Sequence, residues 1–363
     1  MNIILFILIL AALVLVHELG HFLSARWSGI SVKEFGIGLP PKIARLFKWK
    51  ETDFTINAIP FGGFVKIIGE NPNEEALSGP DAERSFMNKP KLIQALVLVA
   101  GVAMNIIFAW FLISLGFMSG MPTPASYSNA GNVRDIKVVI TSVMPDSPAE
   151  KANLKSGDVI RAVSFSADEK VLELTPANIS EFISSHNEVE IIFSRNKVEN
   201  KAAVAPIGGI VEGRKAIGVS MDAIGILQLP IYSALWEGMK TTARLTSAVT
   251  IGLAAFLADV ATGRGDFSEV TGPVGIVGLV GDVSELGFIY LLSFTAFISI
   301  NLAVINLIPF PALDGGRLLF VAIEAISRKR VNPKVANTLN AIGFALLILL
   351  MVVVTFHDIA KLL

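Results

Sequence analysis

The sequence predicts a polytopic α-helical membrane protein with four transmembrane helices, a membrane-associated β segment and one inserted α+β domain. Three observations carry that prediction. Of 363 residues, 53% are hydrophobic and 17% charged, with a mean hydropathy of +0.63; a soluble domain carries about a quarter charged residues. Four stretches, 1–16, 92–117, 286–313 and 335–356, hold no charged side chain, and about 20 apolar residues cross the hydrocarbon of a bilayer. Residues 131–222 differ in texture: strand-like runs such as IKVVITSV and VEIIFSR alternate with polar turns, and 11 Lys/Arg face 13 Asp/Glu. A net charge of −1 gives no footprint for nucleic acid. The absence of cysteine excludes disulfides, thiolate metal sites and a cysteine nucleophile.

The elements follow in order. Residues 1–25 reach spanning length when the uncharged run continues through 17–25. With no Lys or Arg before Arg26 and no small-residue cleavage site, they read as a retained span rather than a signal peptide. Residues 26–90 hold nine of the ten Lys/Arg that lie between Arg26 and Lys91. The segment FTINAIPFGGFVK within them, 54–66, has an apolar hairpin pattern. It suits either a hairpin at the membrane surface or an edge strand, around Phe61, Gly62 and Gly63, that receives an extended substrate by β-addition. A second span covers 91–118, a soluble domain 131–222, a third span with its following turn 286–327, and a fourth span 335–357.

Between them, 233–285 is a linker whose residues 245–261 form a helix. Thr242, Thr246 and Thr250 recur at helical spacing opposite Leu245, Val249 and Phe256, so that helix fits the interface as well as a short span. The interfacial reading keeps Asp314 on the same side as the first span's polar residues. Positive charge then orients the chain. The basic loops 26–91 and 317–334 lie in the cytoplasm, while both termini and the 131–222 domain lie outside.

The chemistry starts at His17-Glu18-Leu19-Gly20-His21. Imidazoles at i and i+4 share one helix face and can share one zinc ion, and the intervening glutamate is placed to act as general base. With four histidines in the chain, chance gives this pattern about 0.002 times. His17 lies nine residues before Arg26, about 13 Å up a helix and inside the hydrocarbon. Ionisable groups there are costly, and function is the default reading. A catalytic zinc takes a third protein ligand. Topology removes His186 and His357 and leaves Asp314, in NLIPFPALDGG, where two prolines and two glycines break the helix. Asp314 serves equally well as a helix cap on these grounds. Gly101 and Asn105 share one face of the second span. That pair suits close helix packing as well as it suits an amide that stabilises an oxyanion.

Together these motifs resemble the site-2 protease family of intramembrane zinc metalloproteases, and within it the bacterial branch that includes the regulator of sigma-E protease. The resemblance covers nearly the whole chain: HELGH, PFGGFVKIIGE, the Gly101-to-Asn105 motif and Asn306…Pro309-x-Pro311-x-Leu-Asp314-Gly. It implies Zn²⁺ held by His17, His21 and Asp314, with Glu18 as base. It also implies a substrate- or transition-state-facing Asn105, a weaker role of that kind for Asn306, and a membrane-re-entrant β segment around 54–66. The 131–222 domain resembles a single circularly permuted PDZ module. Its Asp146-Ser-Pro-Ala and Ser156-Gly-Asp-Val-Ile runs match, Ile217-Gly218-Val219 is the expected peptide loop, and Asn153 stands at a usual glycine.

The expected activity is endopeptidase cleavage of single-span membrane proteins, anti-sigma-factor-like or remnant signal peptides, after a first extracytoplasmic cut. The expected location is the bacterial inner membrane, with membrane lipid, transmembrane substrates and peptide C-termini as partners and no nucleic acid. Two other classes remain open on the residues alone. A non-catalytic PDZ scaffold would hold no stoichiometric zinc, and a metal-ion transporter would show several sites along a path.

Overall fold

The structure, a computed structural model, describes residues 2–70, 82–127, 133–166, 169–195, 198–211, 213–265 and 271–362. In chain order the first elements are α1 (Asn2–Trp27), β1 (Val32–Trp49), β2 (Thr52–Ile67), α2 (Lys91–Ser119) and β3 (Met121–Pro124). Then come β4 (Arg134–Val143), α3 (Pro148–Lys151), β5 (Val159–Ser164), α4 (Pro176–Ser185), β6 (Val189–Arg195) and β7 (Val198–Val204). These are followed by β8 (Ile207–Val211), β9 (Arg214–Ala216), β10 (Val219–Leu227) and α5 (Ile231–Ala261). Four helices close the chain: α6 (Pro273–Leu286), α7 (Phe288–Asn306), α8 (Asp314–Ser327) and α9 (Pro333–Leu362). They form two compact units, one of Met1–Ile113, Gly238–Val283 and Leu291–Leu363, the other of Ser114–Glu237 and Ser284–Tyr290.

In the first unit, α1, α2, α5, α7 and α9 are long and apolar enough to cross a membrane by length and composition. Such segments favour helix because lipid offers no partner to an unpaired backbone group. Helix α1 stops where Gly29 takes φ +67°, with Gly29 N donating to Arg26 O and Ile30 N to Ala25 O. That pattern of crossed carbonyl bonds closes a helix and needs a left-handed residue. The chain then turns into a sheet that doubles back on itself. Residues 32–39 pair with 63–67 on one side and 53–59 on the other, and 42–49 pair with 52–57, so 63–67 is an outer strand. Phe22 of α1 fixes this sheet by stacking edge-on to Phe35 and Phe54, 5.5 and 5.7 Å away, and by touching Trp49.

Helix α5 departs from expectation in length. It begins at Ile231 and runs 31 residues rather than starting near 245. Glu237, Lys240 and Arg244 interrupt the uncharged run without interrupting the helix. Thr242, Thr246 and Thr250 each donate their hydroxyl to the carbonyl four residues back, at 2.7–2.8 Å, so the threonine stripe satisfies itself locally.

The second unit holds a six-stranded sheet in the order β3-β10-β4-β5-β6-β7 and a small β8-β9 pair. Its core is a separate cluster built from Ile140, Val163, Ile179, Ile191, Phe193 and their neighbours. Ser147 caps α3 and Thr175 caps α4, each accepting from the N3 backbone N–H, with proline next in sequence. Asn153 takes φ 59°, the left-handed conformation that asparagine tolerates.

Candidate active site

Helix α1 projects His17 and His21 from one face, with ring centroids 4.7 Å apart and planes crossed at 83°. Asp314 reaches them from the start of α8. Its Oδ2 lies 2.9 Å from His17 Nε2 and 3.2 Å from His21 Nε2, and the two Nε2 atoms are 3.1 Å apart. The break between α7 and α8 makes this convergence possible. Ala312 at φ 76° turns the chain, held by its N–H to Asn340 Oδ1. A Cβ on Gly315 would strike the carbonyls of Leu307 and Ile308, and one on Gly316 that of Phe310. The glycine pair therefore lets α8 begin hard against the loop that precedes it. Leu313, not Asp314, is the N-cap residue of α8, and it makes no side-chain cap bond. The carboxylate of Asp314 is turned to the histidines.

Helix α2 forms the floor. A Cβ on Gly101 would lie 2.5 Å from His21 Nε2 and 2.8 Å from His17 Cε1, so only glycine leaves the imidazoles their place. His21 Nδ1 donates to Val97 O at 2.8 Å. On the open side lies a cavity lined by His17, Glu18, His21, Phe64, Val65, Glu70, Asn306, Asp314 and Arg317 among others. Glu18 lines this cavity beside Val65 of the outer strand. Arg317, one turn beyond Asp314, pairs with Glu70.

Among the described residues, His17, His21 and Asp314 form a group of three whose candidate ligand atoms lie within 4.8 Å of one another. Two imidazole nitrogens and a carboxylate oxygen, open to a cavity on one side, are the donor set of a catalytic zinc. The chemistry also fits in the negative sense. Three atoms best suited to offer lone pairs crowd one point, and a cation resolves that crowding.

The remaining predicted residues fall in different places. Asn306 lines the cavity. Asn105 is not among the lining residues: fully buried, it lies behind His17 with Nδ2 3.4 Å from His17 Nδ1. Gly62 and Gly63 lie against Val14 and Leu15 of α1, where a Cβ would come within 3.2 and 3.0 Å. They let the strand approach the helix, and it is Phe64 and Val65 that reach the cavity. The side chain of Phe61 lies outside the described residues. Ile217, Gly218 and Val219 belong to the second unit, where the carbonyls of Ile217 and Gly218 accept from Ala149 and Met144. Val97, Glu70 and Arg317 were missed. Val97 acts through its backbone, which leaves no sequence signal, whereas Glu70 and Arg317 carried one as charges flanking predicted motifs.

Residues 5–350 match the model of peptidase family M50. A Clostridium acetobutylicum chain is 32% identical over 361 residues, covering 99% of this chain and 97% of its own length. The zinc metalloprotease RasP of Geobacillus kaustophilus is 31% identical, with 99% and 98% covered. The regulator of sigma-W protease RasP of Bacillus subtilis is 30% identical, with 99% of each chain covered.

Proposed function

Because the chain belongs to peptidase family M50 and is a zinc metalloprotease of the membrane, we propose that it cuts single-span membrane proteins within the bilayer. His17, His21 and Asp314 hold the zinc in this reading, and Glu18 moves the proton. The observation that carries it is the meeting of three ligand atoms at 2.9–3.2 Å, beside a glutamate and a cavity, on an apolar helix. Bound zinc supplies Lewis acidity and makes water a usable nucleophile near neutral pH. Glu18 takes the proton of the attacking water and returns it to the leaving amine. A helical substrate hides its carbonyls, so it must open before attack. The outer strand 63–67, beside Glu18, offers a backbone edge to which an extended segment can pair. Asn306 contributes to the wall that positions the chain.

The substrates are anti-sigma-factor-like proteins or remnant signal peptides already trimmed outside, in line with the name of the Bacillus subtilis relative. The 131–222 domain is extracytoplasmic and PDZ-like, filtering by size or reading C-termini. Contacts within the first unit support a reading of four net crossings. Asp358 near the end of α9 accepts from Gly272 and Gly275 N–H at the start of α6, and a Cβ on Gly281 would meet Asn2. Helix α6 therefore sits at the terminal ends of α1 and α9, and α7 runs from that side to the catalytic cavity. In this reading helix α5, which shares cavities with α2 and α7, adds no net crossing.

Detergent-purified protein tests this with a model single-span substrate. About one zinc per chain and cleavage are expected of the wild type, and Glu18→Gln should keep the zinc and lose cleavage. Cleavage retained in Glu18→Gln removes Glu18 as base; no zinc in folded wild type overturns the metal centre.

A further inference from the structure

The two zinc-facing histidines are held from behind by the same helix. Val97, Gly101 and Asn105 stand four residues apart on α2 and share one face. Gly101 makes room for both rings, Val97 O accepts from His21 Nδ1, and the Asn105 amide meets His17 Nδ1. For His21 the consequence is simple. With its proton on Nδ1 and bonded to a carbonyl, Nε2 presents a lone pair toward Asp314 and His17.

His17 needs the same arrangement, because its Nε2 is the atom that meets Asp314 at 2.9 Å. Its Nδ1 must then carry the proton and find an acceptor. Among the described residues, the one partner at Nδ1 is the Asn105 amide, with Nδ2 at 3.4 Å, while Asn105 Oδ1 is buried with no hydrogen-bond partner. A buried amide oxygen left unpaired loses its hydration without replacement. Half a turn of the amide exchanges two ends of nearly equal size. His17 Nδ1–H then donates to Oδ1, and the orphaned acceptor gains its donor.

Resting on the zinc-site reading above, we infer that Asn105 is a positioning residue. It accepts the His17 Nδ1 proton through Oδ1 and so fixes His17 in the tautomer that presents Nε2 to the metal. Ser299 on α7 steadies it by donating its hydroxyl to Asn105 O at 2.8 Å. This assignment takes Asn105 out of contact with substrate and gives α2 a defined function, which is to supply both acceptors that orient the ligating rings.

The experiment is zinc competition against a chromogenic chelator, on full-length protein in detergent, with thermal unfolding of the zinc-free forms as a control on folding. Asn105→Leu keeps the volume and removes the acceptor, and should weaken zinc about 10- to 100-fold. Asn105→Asp keeps an acceptor at the same place and should hold zinc as the wild type does. Asn105→Ala, which leaves space instead of filling it, repeats the comparison if the leucine variant folds poorly. Wild-type affinity in the leucine or alanine variant overturns the inference, as does equal weakening in Asn105→Asp. A wild type that binds no zinc instead defeats the metal centre itself, and the two failures are distinct.

Discussion

Two polar clusters built around a carboxylate, one in each unit, differ in their balance of donors and acceptors. In the second unit Asp158 is 1% exposed. Both its oxygens are spoken for: Arg195 donates from Nε and Nη2, each at 2.7 Å, and Lys155 N–H adds a third bond at 2.8 Å. The guanidinium of Arg195 is held above its usual range by that hydrogen-bonded carboxylate. Each carboxylate oxygen there has its donor, and the negative charge has its cation. In the first unit His17, His21 and Asp314 bring three lone-pair atoms to one point, with a surplus of acceptors and an unpaired amide oxygen behind them. A matched cluster holds a fold together, and a cluster with surplus lone pairs waits for a cation.

The sharpest way to break this contrast is to remove one carboxylate from each cluster and follow zinc. Asp314→Ala should abolish cleavage and erase the stabilisation that zinc confers, about 4 kcal/mol at a thousandfold excess over its dissociation constant. Asp158→Ala should destabilise the second unit by about 3 kcal/mol, because it leaves the Arg195 charge without its partner. That loss should be the same with and without zinc. Unfolding curves of the two variants in zinc and in chelator decide it, and a zinc-dependent effect of Asp158→Ala would dissolve the distinction.

A smaller effect comes from one methyl group added to each unit. Gly101→Ala should push both imidazoles aside and reduce cleavage about 100-fold, since a displacement near 1 Å is enough. Gly218 has φ +82°, and a Cβ there would strike Ser147. Gly218→Ala should cost the second unit roughly 1–3 kcal/mol and leave zinc affinity unchanged. Zinc titration and thermal unfolding of both variants separate the two outcomes.

What the sequence revealed of this site is what local geometry carries. The i, i+4 spacing of His17 and His21 lies within a single helix turn, and the proline and glycine runs around Asp314 break a helix wherever they occur. Asn105 is different, because its contact to His17 spans 88 residues of sequence. No local pattern says whether an amide on an apolar helix points into a cavity or at the back of a ring. The doubled-back sheet was equally hidden. Its pairing of Phe35 with both Val65 and Phe54 is a property of three separated segments, and the hairpin pattern of 54–66 shows only one of them. The true start of α5 was masked by three charges that end an uncharged run without ending a helix.

The smallest effect concerns a histidine that is not a ligand. His186 sits at the end of α4 in the second unit, with Nδ1 2.8 Å from Phe182 O and Nε2 2.9 Å from Glu169 Oε1, its ring stacked on Phe182 at 4.2 Å. Both nitrogens face acceptors, so the doubly protonated ring is favoured. Its pKa is raised, first by the Phe182 carbonyl and then by Glu169. For a group raised on folding, the stabilisation is fully present below the unfolded value, about 6.5. It is lost as pH rises through the folded value. The end of α4 should therefore loosen as pH climbs from 6 toward 8, while the matched Asp158–Arg195 cluster stays closed. Hydrogen exchange across 176–186, corrected for its intrinsic pH dependence, should show that loss of protection in the wild type. In His186→Gln, which cannot gain the charge, it should be absent. A pH response of equal size in the glutamine variant would trace the loosening to some other group and leave His186 as no more than a stacked ring.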